Sequence, residues 1–162
     1  MGLASDLDEI RSGIVRLAGQ VAQADHAKPE LSGWSVGQHI EHVAKVDAMI
    51  LDRCLGVNVE DPTTQGISLL GRFCLLVGWI PRGRATSPAP FVATDISPEQ
   101  LSLLVGIVAQ RLAHAGPELE RHARQPIAFA HPVFGGLDRR QWLRFLLVHQ
   151  NHHRKIIRDL LR

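Results

Sequence analysis

The sequence predicts an all-α protein, an antiparallel four-helix bundle with an extra short helix and a long irregular connection. Apolar residues recur at intervals of three and four over four long segments. Three segments begin with a capping box, and none shows sustained alternation with a period of two, so we expect no sheet. The length suits one domain, and we expect residues 1–162 to form a single bundle.

The first two long helices are defined by their apolar stripes. Residues 3–25 place leucine, isoleucine and valine on one face, and a segment containing proline and glycine follows. Ser35 can cap the second helix, with Gln38 at the third helical position, and this helix continues to about Leu55.

The middle of the chain combines a short helix with an irregular connection. Residues 66–80 are apolar and predict a third, short helix. Residues 81–95 include three prolines and cannot form a regular helix. The length of this connection leaves two interpretations open, a functional lid over a site or a passive strap across the bundle.

The C-terminal half contains the two remaining long helices. A capping box at Ser97 opens a helix that extends to about residue 116, and residues 125–136 are interpreted as a loop. A capping box at Asp138 opens the last helix, which continues to the C-terminus.

Composition narrows the class of protein. Apolar content is 45% and the net charge is +2, which favours a globular chain and does not require a nucleic-acid partner. The longest apolar stretch, residues 67–80, is short for a membrane span and contains Arg72. The N-terminus lacks the pattern of a signal peptide, and both cysteines lie in apolar settings. We therefore expect a reduced cytoplasmic protein without a membrane partner.

Two histidines of the last helix lie on its inward face. His149 and His153 are four residues apart, in the same stripe as Trp142 and Ile156. Burying two imidazoles is costly unless their nitrogens find partners, and such a pair can bind one metal ion, as in the H-E-x-x-H motif. A hydrogen-bonded pair without metal stays open. His152 could replace His153 as a ligand, but the stripe favours the 149–153 pair.

The second predicted helix supplies a third imidazole. His39 and His42 lie three residues apart, and His42 is close to the apolar stripe. Facing helices of a bundle can combine inward side chains into one site, so His42, His149 and His153 would give three nitrogen ligands. Positions for water or substrate would remain, which is typical of a catalytic site. Protonation should weaken such a site below about pH 6.5.

These residues resemble the DinB-like superfamily of four-helix-bundle metalloproteins. The stretch LSGWSVGQHIEHVAKVD contains a tryptophan, Trp34, eight residues before His42, and the last helix contains H-x-x-x-H at His149 and His153. The order of motifs, HP-FG followed by W…H..HH, is similar to that of an uncharacterised branch of this superfamily. The resemblance covers most of the chain and implies a DinB-like bundle with a divalent ion, zinc or nickel. Some members transfer low-molecular-weight thiols, but the fold does not determine the reaction.

Other histidines are candidates for supporting the ligands. His39 and His152 lie beside the three-histidine set, and either could orient a ligand from outside the first shell. His131, in the loop before the last helix, could contact substrate or a ligand, or could hydrogen-bond only within its loop. His39 could also be an exposed first-turn residue.

Substrate-binding residues are suggested by the irregular connection. Arg82 and Arg84 could hold a carboxylate or phosphate of a small ligand. Glu41 and Asp47 are near His42 in sequence, but neither is clearly on the inward face. The catalytic residues therefore stay unknown.

The sequence supports a metal-binding protein, interpreted as a metal-dependent enzyme that acts on a small molecule. Hydrolysis, or S-transfer with a low-molecular-weight thiol as co-substrate, is the expected chemistry. The alternative is a non-catalytic metal- or ligand-binding or stress-response module. In a third interpretation, the basic last helix binds nucleic acid. The alternative is that its basic side chains only form a solvated outer face. A homodimer stays open.

Overall fold

Helices dominate the computed structural model, which describes residues 3–56, 66–82, 89–121 and 126–162. The long helices are α1 (Leu3–Ala18), α2 (Val36–Cys54), α4 (Pro98–His114) and α6 (Arg139–Leu160). The short ones are α3 (Leu69–Val77) and α5 (Gly116–Arg121), with 3-10 turns at Val21–Gln23 and Ala89–Phe91. The all-α prediction is confirmed. None of the described helices has both the length and the apolar character that a membrane crossing requires.

The three predicted capping boxes are present at the starts of α2, α4 and α6.

Two helices, α1 and α3, are shorter than predicted. α1 ends at Ala18 because the following segment turns back onto the start of α2, where the Gly37 N–H donates to the Ala24 carbonyl (2.8 Å). A Cβ at Gly37 would lie 2.9 Å from the Cβ of Ala24, so glycine permits this close approach. α3 ends at Val77 because Gly78 adopts a left-handed conformation.

Helices α2 and α6 are antiparallel neighbours. His39 near the start of α2 meets His153 near the end of α6, and Arg139 at the start of α6 donates to the Cys54 carbonyl at the end of α2 (2.7 Å). We call the contact between these helices the α2–α6 seam. Because the two helices run in opposite directions, the histidines near the start of α2 lie opposite those near the end of α6.

Helices α2 and α4 are parallel neighbours. Gln38 at the start of α2 donates to Asp95 just before α4 (2.7 Å), and Asp52 near the end of α2 pairs with Arg111 near the end of α4. The bundle is therefore antiparallel at the α2–α6 seam and parallel between α2 and α4. A short turn cannot join parallel neighbours, so the chain between them has to return along the bundle. This requirement explains α3 and the long connection.

Residues 66–82 run along α6 toward the C-terminal end of that helix. Residues later in this segment contact residues later in the C-terminal part of the chain, first just before α6 and then along α6. The contacts are Ser68 N to Phe134 O (2.7 Å), Arg144 Nε to Leu75 O (3.3 Å), His152 to Ile80 O (3.1 Å) and Arg82 to Asp159 (2.7 Å). Residues 91–95 then cross to the first half of α2. The described parts of the connection therefore lie over the α2–α6 seam.

A two-stranded hairpin precedes α6, where the sequence was interpreted as a loop without strands. Strands β1 (Pro126–His131) and β2 (Gly135–Asp138) are antiparallel, with His131 opposite Gly135. The His131 ring accepts the N–H groups of Val133 and Phe134 (3.1 Å each), and Gly135 has a φ of 78°. The interpretation of this segment as a loop was wrong because a side-chain contact and a glycine form the turn of a short hairpin.

One polar contact joins three helices inside the core. The Gln150 amide of α6 donates to the Asp47 carboxyl of α2 (2.6 Å) and to the Ile10 carbonyl of α1 (3.2 Å). Asp47 is fully buried, and this burial raises the pKa of its carboxyl to about 8, although the Gln150 hydrogen bond opposes the rise. The folded chain therefore keeps a proton on Asp47 that the unfolded chain releases near pH 4.

Replacing Asp47 by Asn should change how stability depends on pH. Between about pH 4 and pH 8 the folded wild type retains a proton that the unfolded chain loses, so its stability falls as pH rises. Asp47→Asn has no such proton, and its stability relative to wild type should rise by about 1 kcal/mol per pH unit from pH 5 to pH 7. Urea unfolding at several pH values measures this difference, and the exposed Asp8→Asn is the control. Parallel curves for wild type and Asp47→Asn would contradict the prediction.

Candidate metal centre

Three buried imidazoles meet in the α2–α6 seam. His42, His149 and His153 are each less than a tenth exposed. The Nε2 atom of His149 lies 3.1 Å from Nε2 of His42 and 3.2 Å from Nε2 of His153. One ring nitrogen from each residue lies within 4.8 Å of the other two. Nitrogens bound to one tetrahedral zinc ion are about 3.3 Å apart, so this spacing fits a shared metal ion.

The apolar stripe of α6 positions two of these rings. Trp142, Leu146 and Ile156 are buried on the same face as His149 and His153, which lie one turn apart. His152 is at the edge of this face and is only partly buried. Its Nδ1 donates to the Ile80 carbonyl (3.1 Å), and its ring centre is 5.1 Å from that of His153.

A backbone carbonyl fixes the tautomer of His42. The Nδ1 atom of His42 lies 2.8 Å from the Phe91 carbonyl oxygen, which can only accept a hydrogen bond. The proton of the neutral ring is therefore on Nδ1. The lone pair of Nε2 then faces the other two histidines.

A chain of hydrogen bonds allows the same tautomer in His153. Its Nδ1 lies 2.9 Å from Nδ1 of His39, and Nε2 of His39 lies 2.9 Å from the Ser32 hydroxyl, which also accepts the Trp34 N–H (3.1 Å). If His153 donates from Nδ1, His39 accepts and then donates to Ser32. Every atom in this arrangement has a partner, and the Nε2 lone pair of His153 faces the cluster.

The surroundings of His149 suit a cation. Its Nδ1 is buried, and no described residue forms a hydrogen bond with it, while its ring stacks on Phe145 at 5.3 Å. Its Nε2 lies 3.1–3.2 Å from two other ring nitrogens, and one proton can donate fully to only one of them. A metal ion among the three Nε2 atoms would accept a lone pair from each ring, so the residues fit a metal ion.

Trp34 covers the cluster on one side. Its ring lies 5.0 Å from His42, 5.4 Å from His39 and 6.5 Å from His153, where the two rings are stacked with an interplanar angle of 17°. In the sequence, Trp34 was only a marker of the resemblance. Sequence reasoning missed Ser32 and the Phe91 carbonyl, because neither has a distinctive sequence pattern.

Burial sets the charge of the rings. Desolvation lowers the pKa of His42, His149 and His153 below the ordinary imidazole value, and neighbouring histidines lower the pKa of His149 and His153 further. Burial likewise lowers the pKa of His39 to about 4. The rings are therefore neutral near pH 7, which is the state that binds metal.

The two carboxylates near His42 are both fully buried, although the sequence did not place either clearly inward. The Glu41 carboxylate accepts hydrogen bonds from the Thr94 N–H (3.0 Å) and the Thr94 hydroxyl (2.7 Å), and it pairs with the Lys45 ammonium (2.6 Å). Burial raises the pKa of Glu41, but the hydrogen bonds from Lys45 and Thr94 outweigh it and leave the pKa below its usual value. Glu41 therefore holds the segment that carries Phe91, while Asp47 contacts Gln150.

The remaining predicted site residues lie around the cluster. His131 is in the hairpin turn, and its ring is 4.8 Å from Phe145, so the Phe145 ring separates it from His149. Arg82 pairs with Asp159, and its charge contributes to lowering the pKa of His39 and His152. Arg84 lies outside the described residues.

A small cavity opens beside His152. It has a volume of about 30 Å³, and its lining includes Trp79, Arg82, His152 and Lys155. Two cationic side chains and one partly exposed imidazole therefore lie next to the cluster.

Comparison with known proteins gives one match. The family model described as the DinB superfamily matches residues 7–157. Neither the curated proteins nor the solved structures contain a match to this chain.

Single alanine substitutions should separate the ligands from their neighbours. His42→Ala, His149→Ala and His153→Ala should each reduce bound zinc from about one ion per chain to a small fraction, because two imidazoles hold zinc poorly. His152→Ala is the matched control and should retain zinc. Elemental analysis of untagged protein after dialysis against zinc measures the content, and circular dichroism verifies folding. Full zinc content in the His42→Ala protein would exclude the three-histidine site.

Zinc binding should tolerate acid better than the sequence alone suggested. Ordinary imidazoles take up protons below about pH 6.5 and then compete with metal. Because burial lowers the pKa of all three rings, fewer protons compete at a given pH, and affinity should be nearly constant from pH 7.5 to about pH 6. Competition with a chromophoric chelator measures the affinity. A decline centred near pH 6.5 would show that the rings titrate as if exposed.

Proposed function

The chain belongs to the DinB superfamily, and we propose that it is a metal-dependent enzyme that acts on a small molecule. The ligands proposed are His42, His149 and His153, and the ion is zinc or nickel. The observation that supports this function best is the convergence of three buried Nε2 atoms at the spacing of metal ligands. When bound, the ion would supply Lewis-acid activation of water or of a low-molecular-weight thiol.

The chain's own residues would orient the centre and keep it dry. The Phe91 carbonyl and His39 hold the outer nitrogens of His42 and His153, which fixes both ring planes. Trp34 covers the rings and limits the access of water from its side. Three protein ligands leave room for further ligands, which a hydrolase or an S-transferase needs.

The substrate is proposed to carry an anionic group. Arg82 and Lys155 line the cavity beside His152, and a carboxylate or phosphate there would meet two positive charges. The Arg82 guanidinium is half exposed and paired with Asp159, so the ligand would compete with that carboxylate. The proposed role of Arg84 as a second arginine in the same connection stays a prediction.

One observation favours the competing function, a non-catalytic metal- or ligand-binding or stress-response module. The three rings are almost completely buried, and the adjoining cavity of about 30 Å³ holds little more than one water molecule. A substrate of ordinary size would need the connection to move. Measured turnover distinguishes the two functions.

The test uses zinc- or nickel-loaded protein with two probes, p-nitrophenyl acetate for hydrolysis and L-cysteine with 1-chloro-2,4-dinitrobenzene for S-transfer. We expect metal-dependent turnover with at least one probe, and loss of it in His149→Ala. For anionic substrates, Arg82→Gln should raise KM about tenfold, since a lost charge-assisted hydrogen bond costs about 1.4 kcal/mol. Arg158→Gln, which removes an exposed arginine on α6, is the control. Full metal binding without turnover of either probe would favour the non-catalytic module.

A further inference from the structure

The outer face of α3 is apolar and exposed. Leu69 and Leu76 are 85% and 83% exposed, and four neighbours are about half exposed, namely Leu70, Phe73, Val77 and Trp79. Phe73 lies three or four residues from each of the other four α3 positions, so the five form one continuous surface, with Trp79 just beyond its end. We call these six residues the α3 face. The opposite side of the helix, with Gly71, Cys74 and Leu75, is buried.

Such a surface is unusual for a chain that stays alone in water. A helix that is apolar all round is normally buried on all sides. The largest apolar patch of a typical monomer is about 300–600 Å². The α3 face contains six large side chains that are each about half exposed or more, so its exposed area reaches or exceeds this range. The area also approaches the roughly 800 Å² that each partner contributes to a stable interface.

A charged edge borders the α3 face. Arg72, Arg140 and Arg144 lie along this edge, around a cleft of about 590 Å³ between α3 and the start of α6. In an antiparallel pair of α3 helices about a two-fold axis, Leu69 of one copy lies across from Val77 of the other, and the apolar faces meet. The two arginine edges then lie on the same side of this contact and outside it.

We propose that two copies of this chain associate through the α3 face about a two-fold axis. The inference is independent of the metal, because none of the six residues belongs to the histidine cluster. Trp79 also lines the small cavity beside His152, so the interface borders the proposed substrate entrance.

Sedimentation analysis of the full-length protein at micromolar concentration tests the proposal. Wild type should sediment as a dimer. Leu76→Glu should weaken association by a factor of about thirty or more, because it places a charge at the centre of the apolar contact. Leu103→Glu changes a 66% exposed leucine on α4 and should leave the dimer intact. A monomeric wild type, or equal association of Leu76→Glu and wild type, would overturn the proposal.

A cross-linking experiment keeps the proposal testable if Leu76→Glu does not fold. Cys54 and Cys74 are both 1% exposed, so they give little background reaction. Phe73→Cys, near the centre of the α3 face, should form disulfide-linked dimers under mild oxidation, whereas Leu103→Cys should not. Equal cross-linking of the two variants would count against the α3 face. A monomeric wild type that binds phosphatidylglycerol vesicles through Leu76 would assign the face to lipid instead, and overturn the proposal.

Discussion

Burial of three imidazoles in one helix seam is the constraint on which the rest of the site depends. A buried ring is costly unless both nitrogens have partners. The chain supplies partners for the outer nitrogens of His42 and His153, from Phe91 and His39. The inner nitrogens then face one another, with Nε2 of His149 3.1 Å and 3.2 Å from those of His42 and His153. A cation is the natural partner for this arrangement, and desolvation keeps the rings neutral for it.

The topology of the bundle supplies the cover for this seam. Because α2 and α4 are parallel, the chain between them has to travel back along the molecule, and its described parts contact α6 and α2. Glu41, Lys45 and Gln38 tie residues 92–95 along α2, and this attachment places the Phe91 carbonyl against His42. His42, a candidate ligand on a regular helix, is thereby oriented by a segment that is itself anchored.

The two buried carboxylates of α2 show how partners decide charge. Glu41 is surrounded by an ammonium, a hydroxyl and a backbone N–H, which keep it ionised despite burial. Asp47 has a single amide donor and no described cation beside it, so desolvation dominates and the pKa of its carboxyl rises to about 8. One carboxylate fixes the connection to α2, and the other joins three helices. Both carboxylates therefore hold separate parts of the folded chain together.

Local patterns in the sequence determined the helices, their starts and the face that carries the histidines. The capping boxes at Ser35, Ser97 and Asp138 involve residues three apart, and the 149–153 pair depends only on the pitch of one helix. Tertiary structure alone decided the parallel course of α2 and α4, the hairpin at His131, the buried state of Glu41 and the partners of the outer nitrogens. His42 meets a carbonyl 49 residues away, and His39 meets a ring 114 residues away. No local pattern encodes such contacts, because they exist only after the long connection has been packed across the seam.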